Sequence, residues 1–216
     1  MEPKYPAAAY RGFRAAWPDW FIGSPTARDQ ERAVRSLQLR PGDCACDAAC
    51  GSGFNLHRLV RAVGTDGLVI AVEDNPHLLA RSEAKVRRAG WRNVRLLSEI
   101  DADQFKGRPV DGIIVSYNPP ILLQRSDLLS AAWQLLKPGG RMALVAGRCT
   151  TPIGRTVGPA VRLFLRLAGH GDDWRYWLVH EPWKHLGELS AGRLQVEARW
   201  GFQYLLWAEK GSEHVT

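Results

Sequence analysis

Asp47-Ala48-Ala49-Cys50-Gly51-Ser52-Gly53 joins a short apolar strand pattern, Asp43 to Ala48, to a segment, Phe54 to Val63, that sets Leu56, Leu59, Val60 and Val63 on one helical face. Strand, glycine turn and helix in that order make a ligand-binding corner. Glycine lets the backbone turn sharply and approach a ligand with no Cβ in the way. The helix that follows directs its free N–H groups into the turn. Leu68-Val69-Ile70-Ala71-Val72 reads as the next strand, and Glu73 follows it, 20 residues beyond Gly53. From that place a carboxylate accepts hydrogen bonds from ribose hydroxyls.

The same rhythm extends outward. On the N-terminal side, Thr26 to Leu37 carries apolar or small residues at helical spacing and stops at Pro41-Gly42. On the other side, Pro76 to Ala89 reads as a helix with proline in its first turn. Val94 to Leu97, Val110 to Val115 and Arg141 to Ala146 read as strands, with a helix at Asp127 to Leu136 and a helix stop and turn at Lys137-Pro138-Gly139-Gly140. Ile153 to Ala168 is helix-compatible, with Arg155, Arg162 and Arg166 among apolar residues; Gly169 to Asp173 is a loop, and His180 to Leu189 a second helix-compatible stretch. Leu194 to Glu197 and Phe202 to Ala208 then form an antiparallel pair. Such alternation predicts an α/β fold with a doubly wound, mainly parallel seven-stranded sheet and an antiparallel last strand, its ligands at the carboxyl ends of the strands. There is no internal repeat or linker, so one domain over residues 1–216 is expected, with 1–25 as an N-terminal arm or lid and 148–192 as a substrate-side insertion or lid.

Composition agrees with one soluble domain. The 216 residues are 45% hydrophobic and 24% charged, neither disordered nor membrane-spanning in character. No apolar run nears the roughly 20 residues needed to cross a bilayer, and Met1 to Tyr10 lacks the apolar stretch of a secretory signal. Of the cysteines, Cys44, Cys46 and Cys50 crowd one strand and turn and only Cys149 lies apart, which is no disulfide framework. A reduced, cytoplasmic protein is expected. Zinc thiolates sit on turns in spacings such as C-x2-C with a second pair elsewhere, so no metal is expected and Cys44 and Cys46 are assigned to the core. The net charge of +7 suits an anionic partner or simply an Arg-rich surface. Trp17, Trp20, Trp174, Trp177, Trp183, Trp200 and Trp207 gather toward the two ends of the chain, which suggests an aromatic-lined pocket built there.

Two kinds of cofactor use a corner like this one. A dinucleotide site usually carries a third glycine where this chain has Leu56, and Asp47 would repel a pyrophosphate. A cationic ligand suits Asp47 better, and S-adenosylmethionine carries a sulfonium and an ammonium and no phosphate. Asp47 to Gly53 resembles the first motif of class I S-adenosylmethionine-dependent methyltransferases, with Ala49 where glycine is usual. Glu73-Asp74-Asn75-Pro76 and Ala89-Gly90-Trp91-Arg92-Asn93-Val94 resemble the branch around demethylmenaquinone methyltransferases and phospholipid N-methyltransferases. Leu136-Lys137-Pro138-Gly139-Gly140-Arg141 and Gly201-Phe202-Gln203-Tyr204-Leu205-Leu206-Trp207 extend that likeness to residues 30–210. The resemblance implies the fold and the cofactor. Asp47, Gly51 and Gly53 would hold its methionine end, Glu73 the ribose, and Asp74 or Asn75 would flank the adenine, with Ala49, Cys50, Asn55 and Ser116 also among the cofactor contacts. An acid after the third strand often meets the adenine amino group; that place falls at Ile100, between Glu99 and Asp101, and Asp101 is the expected contact.

A sulfonium is already an activated methyl donor, so alignment and desolvation supply most of the acceleration. A base is needed only where the acceptor must lose a proton. Tyr117, His180, Glu181 and Tyr204 are candidates, Tyr117 and His180 foremost; Tyr117, Asn118, Trp20 and Trp177 are the expected acceptor contacts. Asn118-Pro119-Pro120 resembles the motif of enzymes that methylate planar nitrogens of adenine or glutamine, though Ile121 stands where those have a stacking aromatic. Three functions follow: a methyltransferase for a small-molecule or lipid acceptor, an N-methyltransferase for protein glutamine or nucleic-acid adenine, and a non-catalytic cofactor-binding subunit. The Arg155–Arg166 stretch reads as a lid or as a peripheral membrane contact. With no appended nucleic-acid module, nucleic acid is not an expected partner; a homodimer is compatible with all of this.

Overall fold

The structure, a computed structural model, describes residues 26–100, 105, 109–116, 126–147, 156, 159–160, 163, 182–199 and 203–211. Helix α1 (26–36) leads into β1 (Cys44–Ala48), α2 (Leu56–Val63), β2 (Leu68–Val72), α3 (Pro76–Ala89), β3 (Val94–Leu97) and β4 (Val110–Ser116). Then come α4 (Ser126–Leu135), β5 (Leu136–Gly147), α5 (Pro182–Leu189), β6 (Leu194–Arg199) and β7 (Gln203–Glu209). The strands form one sheet in the order β3-β2-β1-β4-β5-β7-β6. β1 to β5 run parallel, and β7 runs antiparallel to both β5 and β6. The doubly wound fold expected from the alternation is therefore the fold observed.

Side chains alternate between the two faces of the sheet, as a strand's twofold repeat requires. Cys44, Cys46, Ile70, Val72, Ile113, Val115, Met142 and Leu144 face one core, covered by Leu129, Ala132 and Trp133 of α4 and Leu186 of α5. Ala45, Val69, Ala71, Ile114, Ala143 and Val145 face the other, covered by Ala33 and Val34 of α1, Leu37 just after it, and Leu56, Leu59 and Val63 of α2. Burial on both faces explains why the central strands read as unbroken apolar runs. Cys44, Cys46 and Cys50 are buried and not disulfide-bonded; Cys149 lies outside the described residues.

Polar ties fix the helices at their ends. Asn75 caps α3, its Oδ1 accepting from the backbone N–H of His77 at 2.9 Å and of Leu78 at 3.3 Å, and Pro76 takes the first helical position. Gly90 ends the helix in the left-handed region. Lys210 Nζ donates to the carbonyls of Trp133, Gln134 and Leu136, placing a cation on the negative end of α4. Ser130 Oγ and His185 Nε2 lie 3.0 Å apart and tie α4 to α5.

One element differs from expectation. The turn expected at Lys137-Pro138-Gly139-Gly140 belongs to β5, which pairs through Val110 with Leu136 and then through Gly112 with Arg141. The extra residues form a bulge, held because Gly139 N–H donates to the Lys210 carbonyl and Lys210 N–H to the Gly140 carbonyl. Of the helix expected over Ile153 to Ala168, residues 156, 159, 160 and 163 are described, and they are helical and exposed. The expected arm or lid at 1–25, and most of 148–192, lie outside the described residues. Among the described residues no helix is long and apolar enough to cross a membrane.

Candidate active site

The chain moves outward from β1 to β2 to β3, then jumps back to the other side of β1 to form β4 and β5. At such a reversal the loops leaving neighbouring strands diverge and open a crevice beyond their carboxyl ends. Two expected site residues meet across it: Asn55, at the start of α2, donates from Nδ2 to Ser116 Oγ, at the end of β4, at 2.7 Å. Asn55 is buried, and its Oδ1 has no partner.

Asp47 lies within β1, in register with Ala71 of β2 and Ile114 of β4. It is 0% exposed and neither carboxylate oxygen accepts a hydrogen bond. Burial, and then the neighbouring Glu73, push its carboxyl up to about 8, with Lys85 acting in the opposite sense. A buried acid with no donor is costly unless something else answers its charge.

The turn after β1 is built around its glycines. Gly51 (φ +58°) and Gly53 (φ +77°) lie in the left-handed region. A Cβ on Gly53 would stand 2.7 Å from Leu56 Cδ1, so that glycine serves the packing of α2. A Cβ on Gly51 would meet nothing within 4 Å and would project into open space, which marks Gly51 as the cradle. Ala49 also has positive φ, 152°, where a side chain is strained. Ala49→Gly is therefore expected to stabilise the protein by about 1 kcal/mol, the strain relieved less the chain entropy that glycine adds. Urea unfolding of the two proteins measures it, and a lower midpoint for the variant would count against strain at this position.

Glu73 follows β2 and is buried. Its Oε2 accepts from Gly51 N–H at 2.8 Å and its Oε1 from Asn75 N–H at 2.9 Å. Each oxygen thus accepts one backbone N–H and retains acceptor capacity, and the Asp74 side chain also acts on this carboxyl. Burial raises this carboxyl to about 7, opposed by the bond from Asn75 N–H. Asp74 is exposed, while Asn75 is buried and has its side-chain oxygen engaged as the α3 cap. Cys50 is buried in the turn, its thiol pushed up chiefly by burial.

Two residues that the sequence did not single out support the turn. Ser82 Oγ, fully buried, donates to the Gly51 carbonyl at 2.8 Å, and Lys85 Nζ donates to the Gly53 carbonyl at 3.1 Å. Their spacing on α3 puts both on one helix face, and that spacing was the only sequence signal available. Tyr204, a candidate base, is buried in the core face of β7. Ile100 packs against the same core and Glu99 is exposed. Asp101, Tyr117, Asn118, His180, Glu181, Trp20 and Trp177 lie outside the described residues.

A cationic donor fits what is present. Asp47 offers a buried carboxyl that no protein donor meets, Glu73 an acceptor 20 residues beyond Gly53, and Gly51 room for backbone contact. Residues 45–140 match the family Methyltransf_25, described as a methyltransferase domain. A tRNA (adenine(58)-N(1))-methyltransferase of Thermus thermophilus is 30% identical over 161 residues, 73% of this chain and 61% of that enzyme. A demethylmenaquinone methyltransferase of Lactobacillus johnsonii is 25% identical over 174 residues, 77% of this chain and 70% of that enzyme. The solved structure of a SAM-dependent methyltransferase from Aquifex aeolicus superposes with a TM-score of 0.61 at 19% identity, covering 92% of this chain and 98% of that one.

Residues 45–140 thus match a methyltransferase domain, and the seven-stranded sheet has the fold of solved class I methyltransferases. Among the described residues, Asp47, Gly51, Asn55 and Glu73 gather at the carboxyl ends of β1, β2 and β4. The chain spans about three fifths of the tRNA enzyme's length.

Proposed function

We propose that the protein transfers the methyl group of S-adenosylmethionine to a small-molecule or lipid acceptor. The observation that carries the transfer is Asp47, a fully buried carboxylate with no protein donor at the carboxyl end of the central strand. Such a group binds a cation or stays protonated, and the donor brings two cationic groups. When bound, the cofactor supplies a methyl group on sulfonium sulfur. Asp47 answers the positive charge, Glu73 orients the ribose, and the Asn55–Ser116 bond holds the far wall of the crevice where an acceptor approaches in line. Tyr117 and His180 are the proposed bases for an acceptor that must lose a proton, with Asn118, Trp20 and Trp177 around it.

The acceptor class is supported by the demethylmenaquinone methyltransferase, which this chain matches over 70% of that enzyme's length. The Arg155–Arg166 stretch is the proposed contact with an anionic membrane when the acceptor is a lipid, and a cytoplasmic protein, monomeric or dimeric, accords with the reading. Methylation of adenine in RNA is the second reading, supported by the 30% identity to the tRNA enzyme and by Asn118-Pro119-Pro120. Incubation with methyl-tritiated S-adenosylmethionine and, separately, a polar metabolite extract, a lipid extract and unmodified tRNA tests the choice. Label in either extract is the expected result. Label in tRNA alone would replace the first reading by the second.

A further inference from the structure

We propose that Ser82 and Lys85 are positioning residues for the methyl donor: from one face of α3 they hold the Gly51 and Gly53 carbonyls and set a cation beside the acid that receives the donor's positive charge. The inference rests on the donor being S-adenosylmethionine and stands whatever the acceptor is. Ser82 grips the Gly51 carbonyl at 2.8 Å while Glu73 accepts from the Gly51 N–H at 2.8 Å, so Gly51 is fixed from both sides. Lys85 grips the Gly53 carbonyl at 3.1 Å. Together they keep the left-handed conformation of both glycines and the open space over Gly51.

Lys85 also solves a problem of charge. Asp47 and Glu73 are both buried and repel one another, so neither ionises readily alone. Lys85 is the cation that favours ionised Asp47 in the absence of ligand. The groups facing this centre are Asp47 and Cys46 from β1, Glu73 and Asp74 after β2, Cys50 in the turn, and His57 from α2, which also feels Lys85. His57 is pushed below its ordinary range by burial and then by Arg58, so it is neutral where the two acids titrate. Removing Lys85 would leave Asp47 protonated to higher pH and hence unready for a cation.

Calorimetric titration with S-adenosylmethionine from about pH 6 to pH 9.5 tests this on wild type, Ser82→Ala, Lys85→Met and Lys85→Arg. Affinity is expected to rise with pH in the wild type. Lys85→Met should move the midpoint of that rise upward by about one unit and weaken binding about tenfold below it. Lys85→Arg should restore the midpoint, and Ser82→Ala should weaken binding severalfold at every pH with the midpoint unmoved. A Lys85→Met protein that keeps the wild-type midpoint, with or without weaker binding, overturns the electrostatic role. If that variant fails to fold, Lys85→Gln is judged by the same midpoint. Failure of both to fold while Lys85→Arg folds would assign Lys85 to stability alone and overturn the proposal.

Discussion

Asp47→Asn is expected to do two opposite things: make the ligand-free protein more stable at alkaline pH and weaken S-adenosylmethionine binding about a hundredfold. The substitution keeps shape and removes charge. In the free protein the carboxyl sits at about 8, against 3.8 for an ordinary aspartate. The folded state therefore holds a proton that the unfolded chain releases near pH 4. Stability from this group is full below about pH 4 and is lost progressively as pH rises through about 8. Glu73, raised to about 7, acts in the same direction but is exhausted earlier, so the interval above about 7 reports mainly on Asp47. Denaturant unfolding at about pH 6 and pH 9 should thus show wild type losing stability across the interval and the variant losing less.

The binding half follows from the same charge. A charge-assisted contact in a buried site is worth about 1.5–3 kcal/mol, and about 2.7 kcal/mol is a hundredfold in affinity. Because the acid must ionise to receive a cation, binding near pH 7 should expel close to one proton. Calorimetry in buffers of different ionisation enthalpy counts it. Binding without proton release, or a variant that binds as well as wild type, would remove Asp47 from the site.

What the sequence made legible were features with a local cause. Asp47 to Gly53 and Glu73 stand out because strand, turn and following acid have fixed spacing. The strands stand out because both faces are buried, leaving apolar runs such as Leu68 to Val72. Features made by distant partners did not stand out. Ser82 and Lys85 look like ordinary helix-surface residues until α3 is laid against a turn some thirty positions earlier. The bulge at Lys137 to Gly140 needs Lys210 from the end of the chain to hold it, so in isolation those residues read as a turn. Asn75, which with Asp74 is expected beside the adenine, also caps α3 with its side-chain oxygen and holds Glu73 through its N–H, ties that its place beside Glu73 does not reveal. The acceptor side was least legible, since methyl transfer depends on alignment more than on any one reactive side chain.

Glu73→Ala separates the two ends of the cofactor. Wild-type Glu73 has two tasks: it accepts from the Gly51 and Asn75 N–H groups, and in the proposed reading it also accepts from the ribose hydroxyls. Alanine removes both, so the ligand-free protein should lose about 1–3 kcal/mol from the donors left unmet. S-adenosylmethionine should bind tenfold more weakly or worse, from loss of at least about 1.4 kcal/mol of ribose bonding. Glu73→Gln keeps one acceptor and sheds the charge, so its stability should lie between the two. The decisive comparison uses S-adenosylhomocysteine, which shares the ribose but lacks the sulfonium. Glu73→Ala should weaken both ligands by the same factor, because the ribose is common to them. Asp47→Asn should weaken S-adenosylmethionine more than S-adenosylhomocysteine, because only the first carries the charge on sulfur. If Glu73→Ala discriminated between the ligands and Asp47→Asn did not, the two acids would have to exchange roles, and the donor would lie in the crevice in the reverse orientation.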